Sequence, residues 1–372
     1  MSGDRQLKSR KLGRAGSLSA PGALSVLATV MPAQPTLELP DEPLAQYAAR
    51  HGLKQTATRP PLLTYLRELW QRRHFITGFA TARNIAMYTE ARLGQLWQVL
   101  TPLLNAAVYY LVFGILLGTS RGIPDFVSFL VTGIFVFNFT QRALITSSRV
   151  MRDSLPLMRA LYFPRACLPL GYVLIELQQL ILSFAVLFVI VVVAGEPVTP
   201  YWLLIIPALA LQSVFNVGVG FILARWGAGF DDVSQLLPFL VRTWFYFSGI
   251  IFSIQTLALT LTRSGTGTLH PRISPHVAYL LQINPAAVYI DLVRYALLAK
   301  YRAALPGSQP YDMAKCHAYR LAPAVNPSNS AYCHSVVPSI SHLWIWGAGW
   351  AVLAIGIGFI FFWRAEARYG RG

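Results

Sequence analysis

The sequence predicts an all-α integral membrane protein: six transmembrane helices, an amphipathic cytoplasmic interface region before them, and an outer re-entrant or interfacial helical segment before the last. Three observations predict it. Hydrophobic residues make up 55% of the 372 and charged residues only 12%, about half the charged share of a soluble protein. Apolar stretches of about 20 residues recur, the length that crosses roughly 30 Å of hydrocarbon. Basic residues sort by loop, as they do when the cytoplasmic side of a membrane collects Lys and Arg. The abundance of Leu, Ile, Val, Phe and Trp excludes a disordered chain. The net charge of +16, from 31 basic and 15 acidic residues, therefore reads as membrane orientation, and no nucleic-acid partner is expected.

Residues 1–60 are rich in Ser, Gly, Ala and Pro, with Arg5, Lys8, Arg10, Lys11 and Arg14 near the start. They read as a disordered, basic cytoplasmic tail. The mildly apolar stretch 23–33 is interrupted by Ser25 and followed by Pro35, so it is a poor signal-peptide core.

Residues 61–100 read as interface helices. Leu62, Leu66, Leu69 and Trp70 recur at three- and four-residue spacing, with Arg67, Glu68, Arg72 and Arg73 between them. A second helix is expected over 85–99, running into Leu93, Leu96, Trp97 and Leu100. Fewer than about 40 residues cannot form a soluble core of their own, so these helices belong at the membrane surface.

The remainder, 101–372, carries spans at about 101–117, 126–146, 166–194, 201–224, 236–254 and 343–363. The outer loop 255–342 includes an apolar helical stretch, 277–298, that carries Asn284-Pro285, Asp291 and Arg294. It is expected to be re-entrant rather than a seventh span, because irregular backbone at membrane depth needs protein or water around it. Loop charges orient the bundle. Arg149, Arg152, Arg159 and Arg165 face one acid, Asp153, between the second and third spans, and the tail carries Arg364, Arg368 and Arg371. The loop 118–125 has only Arg121, and 195–200 has no base. Both termini are therefore expected in the cytoplasm of a multi-pass cytoplasmic-membrane protein.

Few residues suggest chemistry. Asp231-Asp232 is expected in a cytoplasmic loop, answering Arg225 or a base on a partner. As a Mg²⁺ site of a membrane-embedded transferase it would need a second acidic motif. Arg142, Glu176 and Arg242 are intramembrane charges, which are costly and mark either a structural salt bridge or a polar step along a substrate path. Cys316-His317 and Cys333-His334 match no common zinc spacing, so a Cys316–Cys333 disulfide in an oxidising exterior is expected, with Cys167 reduced. No metal and no cofactor are expected. No GxxxxGK[ST] phosphate loop is present, so the chain cannot bind ATP through one.

Four blocks carry a family resemblance. They are Arg92-Leu93-Gly94-Gln95-Leu96-Trp97 with Thr101-Pro102-Leu103-Leu104 and the following Tyr109-Tyr110-Leu111-Val112-Phe113-Gly114; Leu155-Pro156-Leu157 through Tyr162-Phe163-Pro164-Arg165 to Leu168-Pro169; Trp244 through Phe252; and Ile283-Asn284-Pro285. In this order, from about Pro61 onward, the chain resembles the permease subunits of type-2 ABC exporters, in the branch that exports polysaccharides, O-antigens and teichoic acids. The N-terminal extension and the polar insert 303–341 depart from the family pattern.

The resemblance implies two copies of the chain, a pair of ATP-binding subunits, a lipid-linked polymer as substrate, and contact with membrane lipids. It implies that 150–165 couples the permease to the ATPase through Arg149, Arg152, Leu157, Arg159, Phe163 and Arg165, with 62–75 as a second contact. It also places Tyr109, Tyr110, Phe113, Trp244, Tyr246 and Phe247 on the elements nearest the dimer axis, where aromatic rings could line a sugar channel. Two other readings stay open: a lipid or drug exporter of the same fold, and a membrane-embedded transferase.

Overall fold

The computed structural model describes residues 50, 61–89, 92–118, 125–161, 163–254, 261–263, 269–271, 275–304 and 340–366. All packing below lies within the unit formed by residues 57–372.

Helix α1 (Leu62–Gln71) turns Tyr65 fully inward and leaves Leu63 and Trp70 outward at 81% and 71% exposure. Such an outward apolar face suits a helix lying in a membrane interface. A turn at Arg72 separates it from α2 (Arg73–Ala86), so 62–75 is not one helix. The second helix expected at 85–99 does not form. The chain turns after Ala86, and Gly94, at φ +50°, opens a short 3₁₀ turn, Gly94–Leu96. A left-handed glycine stops a helix that periodicity alone would continue, and the apolar residues Leu93, Leu96 and Trp97 belong to the corner before the first span.

Among the described residues, five helices are long and apolar enough to cross a membrane. The first, α3 (Trp97–Tyr109), continues as a π-helical stretch, Tyr110–Leu116. Helix α4 spans Phe126–Asp153, beyond its expected end at 146. After α5 (Leu155–Ala160) comes α6 (Cys167–Val193). A 3₁₀ turn, Pro200–Leu204, leads into α7 (Ile205–Gly229). The last is α12 (Ile340–Trp363).

Between α7 and α12 lies α8 (Asp231–Phe247). It starts before the expected 236 and stops before the expected 254. At 17 residues it is about 26 Å long, just short of the hydrocarbon thickness. The chain leaves it through Ser248 and Gly249, the latter at φ +65°. Ile250, Ile251 and Ile254 are apolar because they are buried in the protein, not because they continue a span. Then come the paired strands β1 (Leu261–Arg263) and β2 (Leu269–Pro271). They are the only strands among the described residues of this otherwise helical chain.

The stretch expected to be re-entrant is a helix pair, α9 (Pro275–Ile283) and α10 (Pro285–Leu297). Asn284 breaks it. Its side chain caps α10 by accepting from the Ala286 amide at 3.2 Å, and Pro285 takes the first helical position, where no backbone donor is needed. Neither helix is long enough to cross alone. A short α11 (Ala299–Ala304) follows.

Helix α7 is the centre of the bundle, packed on α4, α6, α8, α10 and α12. Small residues bring its backbone close to its neighbours. A Cβ on Gly218 would strike the Ala354 backbone, one on Gly358 would strike the Gly218 carbonyl, and one on Gly227 would strike the Ser148 carbonyl of α4. Close approach of this kind is how membrane helices gain packing when lipid is as apolar as they are. A second knot is Arg294 of α10, 1% exposed. It donates to the carbonyls of Phe129, Gly249 and Ile250 at 2.8–3.2 Å and lies 3.5 Å from Asp291. It ties α4 and the turn after α8 to the helix pair, and these bonds compensate the cost of burying its charge.

Candidate coupling segment and intramembrane polar sites

The segment 150–165 sits where α4, α6, α8 and the residues after α12 meet. Helix α4 ends at Asp153, and buried Ser154 leads into α5, whose first turn holds Pro156. After α5 the backbone is extended at Leu161 (φ −131°, ψ 140°). Leu157 and Met158 lean on a core formed with Phe163, Phe75 and Cys167. Phe163 is buried and packs on Phe75 at 5.1 Å between ring centroids. Pro156, Arg159, Ala160 and Leu161 face outward. Beyond the end of α4, the helical part of the segment is thus only 155–160.

Both flanks of the segment are fastened. On the first flank, Arg149 donates to the Ser234 carbonyl at 3.2 Å. Arg152 pairs with the Asp231 carboxylate and bonds the Ser234 hydroxyl. Asp231 and Asp232 therefore occupy the first turn of α8 rather than a loop, where a helix N-terminus favours negative charge. The partner of Asp231 is Arg152, not Arg225. Arg225 instead bonds the Phe361 carbonyl and lies over the Phe361 ring at 3.7 Å.

On the second flank stands Glu366, buried just past α12. Its carboxylate accepts from the Tyr65 hydroxyl at 2.9 Å and from the Arg165 amide at 3.0 Å. The Arg165 guanidinium donates to the Glu366 carbonyl at 2.5 Å, and the Tyr65 oxygen accepts from the Ala166 amide at 3.0 Å. Three pieces of chain far apart in sequence converge on one carboxylate. Burial raises the Glu366 carboxyl above its ordinary range, against the lowering effect of the Arg165 amide, the Tyr65 hydroxyl and the Arg165 charge. Burial also raises Tyr65, and the neighbouring Glu366 adds to that. Sequence reasoning misses this cluster. Its one signal is that Glu366 is the only acid after Asp312, set among Arg364, Arg368 and Arg371.

The intramembrane charges do not form a single ion pair. Arg142 donates to Gln179 at 2.8 Å rather than to Glu176. Glu176 and Arg142 line one cavity together with Asn138, Gln179 and Ser183. Glu176 is 6% exposed, and its Oε2 has no hydrogen-bond partner among the described residues. Arg242 lies elsewhere, exposed on α8. Amides that no sequence pattern singles out extend this polar patch. Asn84 of α2 accepts from Gln98 and Gln179 and donates to Gln178, which in turn donates to Thr81. The patch thus docks the second interface helix on α3 and α6.

The aromatic candidates divide. Tyr109 stacks on Phe245 at 5.1 Å and neighbours Phe113 at 6.3 Å. Phe245 also meets Tyr246 and Phe137 edge-on. Tyr110, Tyr246 and Phe247 are exposed at 38%, 46% and 56%. Trp244 is anchored instead, donating to Asn284 at 2.7 Å. So Tyr109 of α3 and Tyr246 of α8 meet through Phe245, a ring that sequence reasoning passes over. Cys167 is a buried thiol. Cys316, Cys333, residues 305–339 of the insert 303–341, and residues 1–49 lie outside the described residues.

The chain is similar to known export proteins. It is 25% identical over 218 residues to the O-antigen export system permease protein RfbA of Myxococcus xanthus, covering 59% of this chain and 83% of that one. It is 28% identical over 167 residues to the protein of the same name from Klebsiella pneumoniae, covering 45% of this chain and 64% of that one. It is 26% identical over 224 residues to the polysialic acid transport protein KpsM of Escherichia coli, covering 58% and 77%. The profile of the ABC-2 type transporter family matches residues 77–298, a stretch that runs from within α2 through the segment 150–165 and the aromatic group to the end of the helix pair α9–α10. With five helices among the described residues long and apolar enough to span, four of them inside the matched stretch, the chain is a multi-pass membrane protein and belongs to the ABC-2 type transporter family.

Proposed function

We propose that this chain is the permease subunit of an ATP-driven exporter that moves a lipid-linked polysaccharide, of O-antigen or teichoic-acid type, across the cytoplasmic membrane. The observation that carries this reading is the likeness to an O-antigen permease across 83% of that relative's length. In this reading two copies form the conduit, and two ATP-binding subunits supply the energy from below. Helix α8 serves as the fifth of six spans, its short reach completed by the buried turn after it. The basic end of the bundle, with Arg149, Arg152, Arg159, Arg165, Arg225 and Arg364, lies in the cytoplasm, in keeping with the positive-inside rule.

Site roles follow from accessibility. A motor subunit would meet the outward residues Pro156, Arg159, Ala160 and Leu161, while Leu157, Phe163 and Arg165 set the segment's position. Tyr109 and Tyr246, with the exposed Tyr110 and Phe247, would offer sliding surfaces to sugar C–H faces. The transferase reading loses its one support, because Asp231 is engaged by Arg152. Lipid or drug export by the same fold remains the second reading.

The test is reconstitution of the chain with its ATP-binding subunit in vesicles, with uptake of a lipid-linked polysaccharide measured during ATP hydrolysis. Polymer translocation that stops without ATP supports the reading. Export of small lipids or drugs with no polymer movement overturns it.

A further inference from the structure

The two fastenings of the segment 150–165 differ in kind. The Glu366–Tyr65–Arg165 cluster is buried, with Tyr65 at 1% and Glu366 at 9% exposure. It joins three elements through four hydrogen bonds, and a buried network with its members satisfied is rigid. The Arg152–Asp231 pair is open to water, its side chains 37% and 77% exposed. A solvated ion pair holds weakly and can slide or re-form. The outward residues 156–161 lie between these two ends.

We propose that the segment 150–165 is a one-ended lever. It pivots on the Glu366–Tyr65–Arg165 cluster, and Arg152 delivers its motion to the first turn of α8 through Asp231 and Ser234. This rests on the reading that 156–161 meets an ATP-binding subunit. A push on these outward residues meets the least resistance at the exposed flank. There the lateral grip beyond the α4 backbone is on α8, through Arg152 and through the bond from Arg149 to the Ser234 carbonyl. Helix α8 carries Pro238, which removes an internal backbone bond and gives it a place to flex. Its far end bears Phe245, which stacks on Tyr109, and Tyr246, which meets Phe245 edge-on. The lever therefore connects the motor face to the aromatic group along one helix. Arg152 and Asp231 act as positioning residues, and Glu366 fixes the fulcrum.

The experiment uses the full transporter with its ATP-binding subunit and reads polymer exported per ATP hydrolysed. Arg152→Asp and Asp231→Arg are made singly and together. Each single variant should lower that ratio by at least about five-fold, the lower end of typical coupling between sites. The double variant, which restores an opposite-charge pair, should recover most of it. A double variant no better than the singles, in complexes assembled to the wild-type level, overturns the lever. If the singles fail to assemble, Ser234→Ala with Arg149→Gln probes the same grip by neutral changes, and an unaltered ratio there also overturns it. Failure of the underlying reading looks different, because the wild-type complex would then export no polymer at all.

Discussion

Helices α3 and α4 are neighbours in sequence and both are spans, yet they sit in opposite surroundings. Helix α4 has 72% of its most apolar window buried, and the span begun by α3 has 17%. Helix α4 is the more polar of the two, with Ser128, Thr132, Thr140, Ser147 and Ser148 inside the bundle. The span begun by α3 turns Leu104, Val108, Leu111 and Ile115 outward. In water this would be inverted packing. In a membrane it is the expected order, because lipid satisfies aliphatic surface while polar and small residues give close contact between helices. Of these two helices the more exposed one is the more uniformly apolar, and the polar and small residues of α4 lie inside the bundle beside its buried aromatic and aliphatic side chains.

The sharpest way to break that comparison is to enlarge a small interior residue. Gly218→Leu or Gly358→Leu must push apart backbones that already touch. The expected loss exceeds about 3 kcal/mol, seen as failure to recover folded protein in detergent. Normal recovery of either variant would show that α7 and α12 do not pack as described. Arg294→Leu comes next. It leaves the carbonyls of Phe129, Gly249 and Ile250 without their donor and Asp291 without its neighbouring charge. A cost of roughly 3–5 kcal/mol is expected, read as a large drop in the thermal unfolding midpoint.

These two positions show what the sequence could and could not convey. The spans were legible because length and apolarity are local properties. The helix pair was legible because Asn284-Pro285 is a local break. The end of α8 was not, since Ile250, Ile251 and Ile254 are as apolar as a span, and only Gly249 with the distant Arg294 shows that they turn inward. The segment 150–165 was legible as a basic stretch between two spans with Pro156 and Pro164. Its partners were not, because Arg152–Asp231 and Arg165–Glu366 join residues 79 and 201 positions apart, and no periodicity records such a pairing. The Asn84, Gln98 and Gln179 patch escaped for a similar reason: a lone amide in an apolar run looks tolerated until its partners are known.

The span begun by α3 and its neighbour α8 supply the middle-sized tests. Tyr109→Leu and Tyr246→Leu remove rings that meet Phe245. Stability should change by about 1 kcal/mol or less, the worth of an aromatic pair beyond its area, while export in the reconstituted transporter slows. Unchanged export would make these rings packing contacts only. Leu111→Ala with Ile115→Ala trims the outward face. If lipid alone covers it, unfolding should move by less than about 0.5 kcal/mol per site. A fall in the proportion of dimer, read by native mass spectrometry, would show that a second copy covers it.

The smallest expected effect separates the packed side from the lipid side by pH. The span begun by α3 holds no carboxyl, whereas the packed side buries Glu366 just beyond the membrane region. Burial raises that carboxyl above 4.5, its ordinary value. A raised carboxyl binds its proton more tightly in the folded chain than in the unfolded one. Its contribution to stability is therefore greatest at pH below the unfolded value, and it is lost as pH rises through the higher folded value. The unfolding midpoint should rise modestly on acidification from about pH 8 to about pH 5, by an amount on the order of 1 kcal/mol for each pH unit separating the folded and unfolded values. Glu366→Gln keeps an acceptor for one of the two donors and removes the titration, so its midpoint should stay flat over the same range. A variant that retains the wild-type slope would assign the pH response to another group. A wild-type protein that loses stability on acidification would mean that the Tyr65 and Arg165 bonds outweigh burial and hold the carboxyl charged.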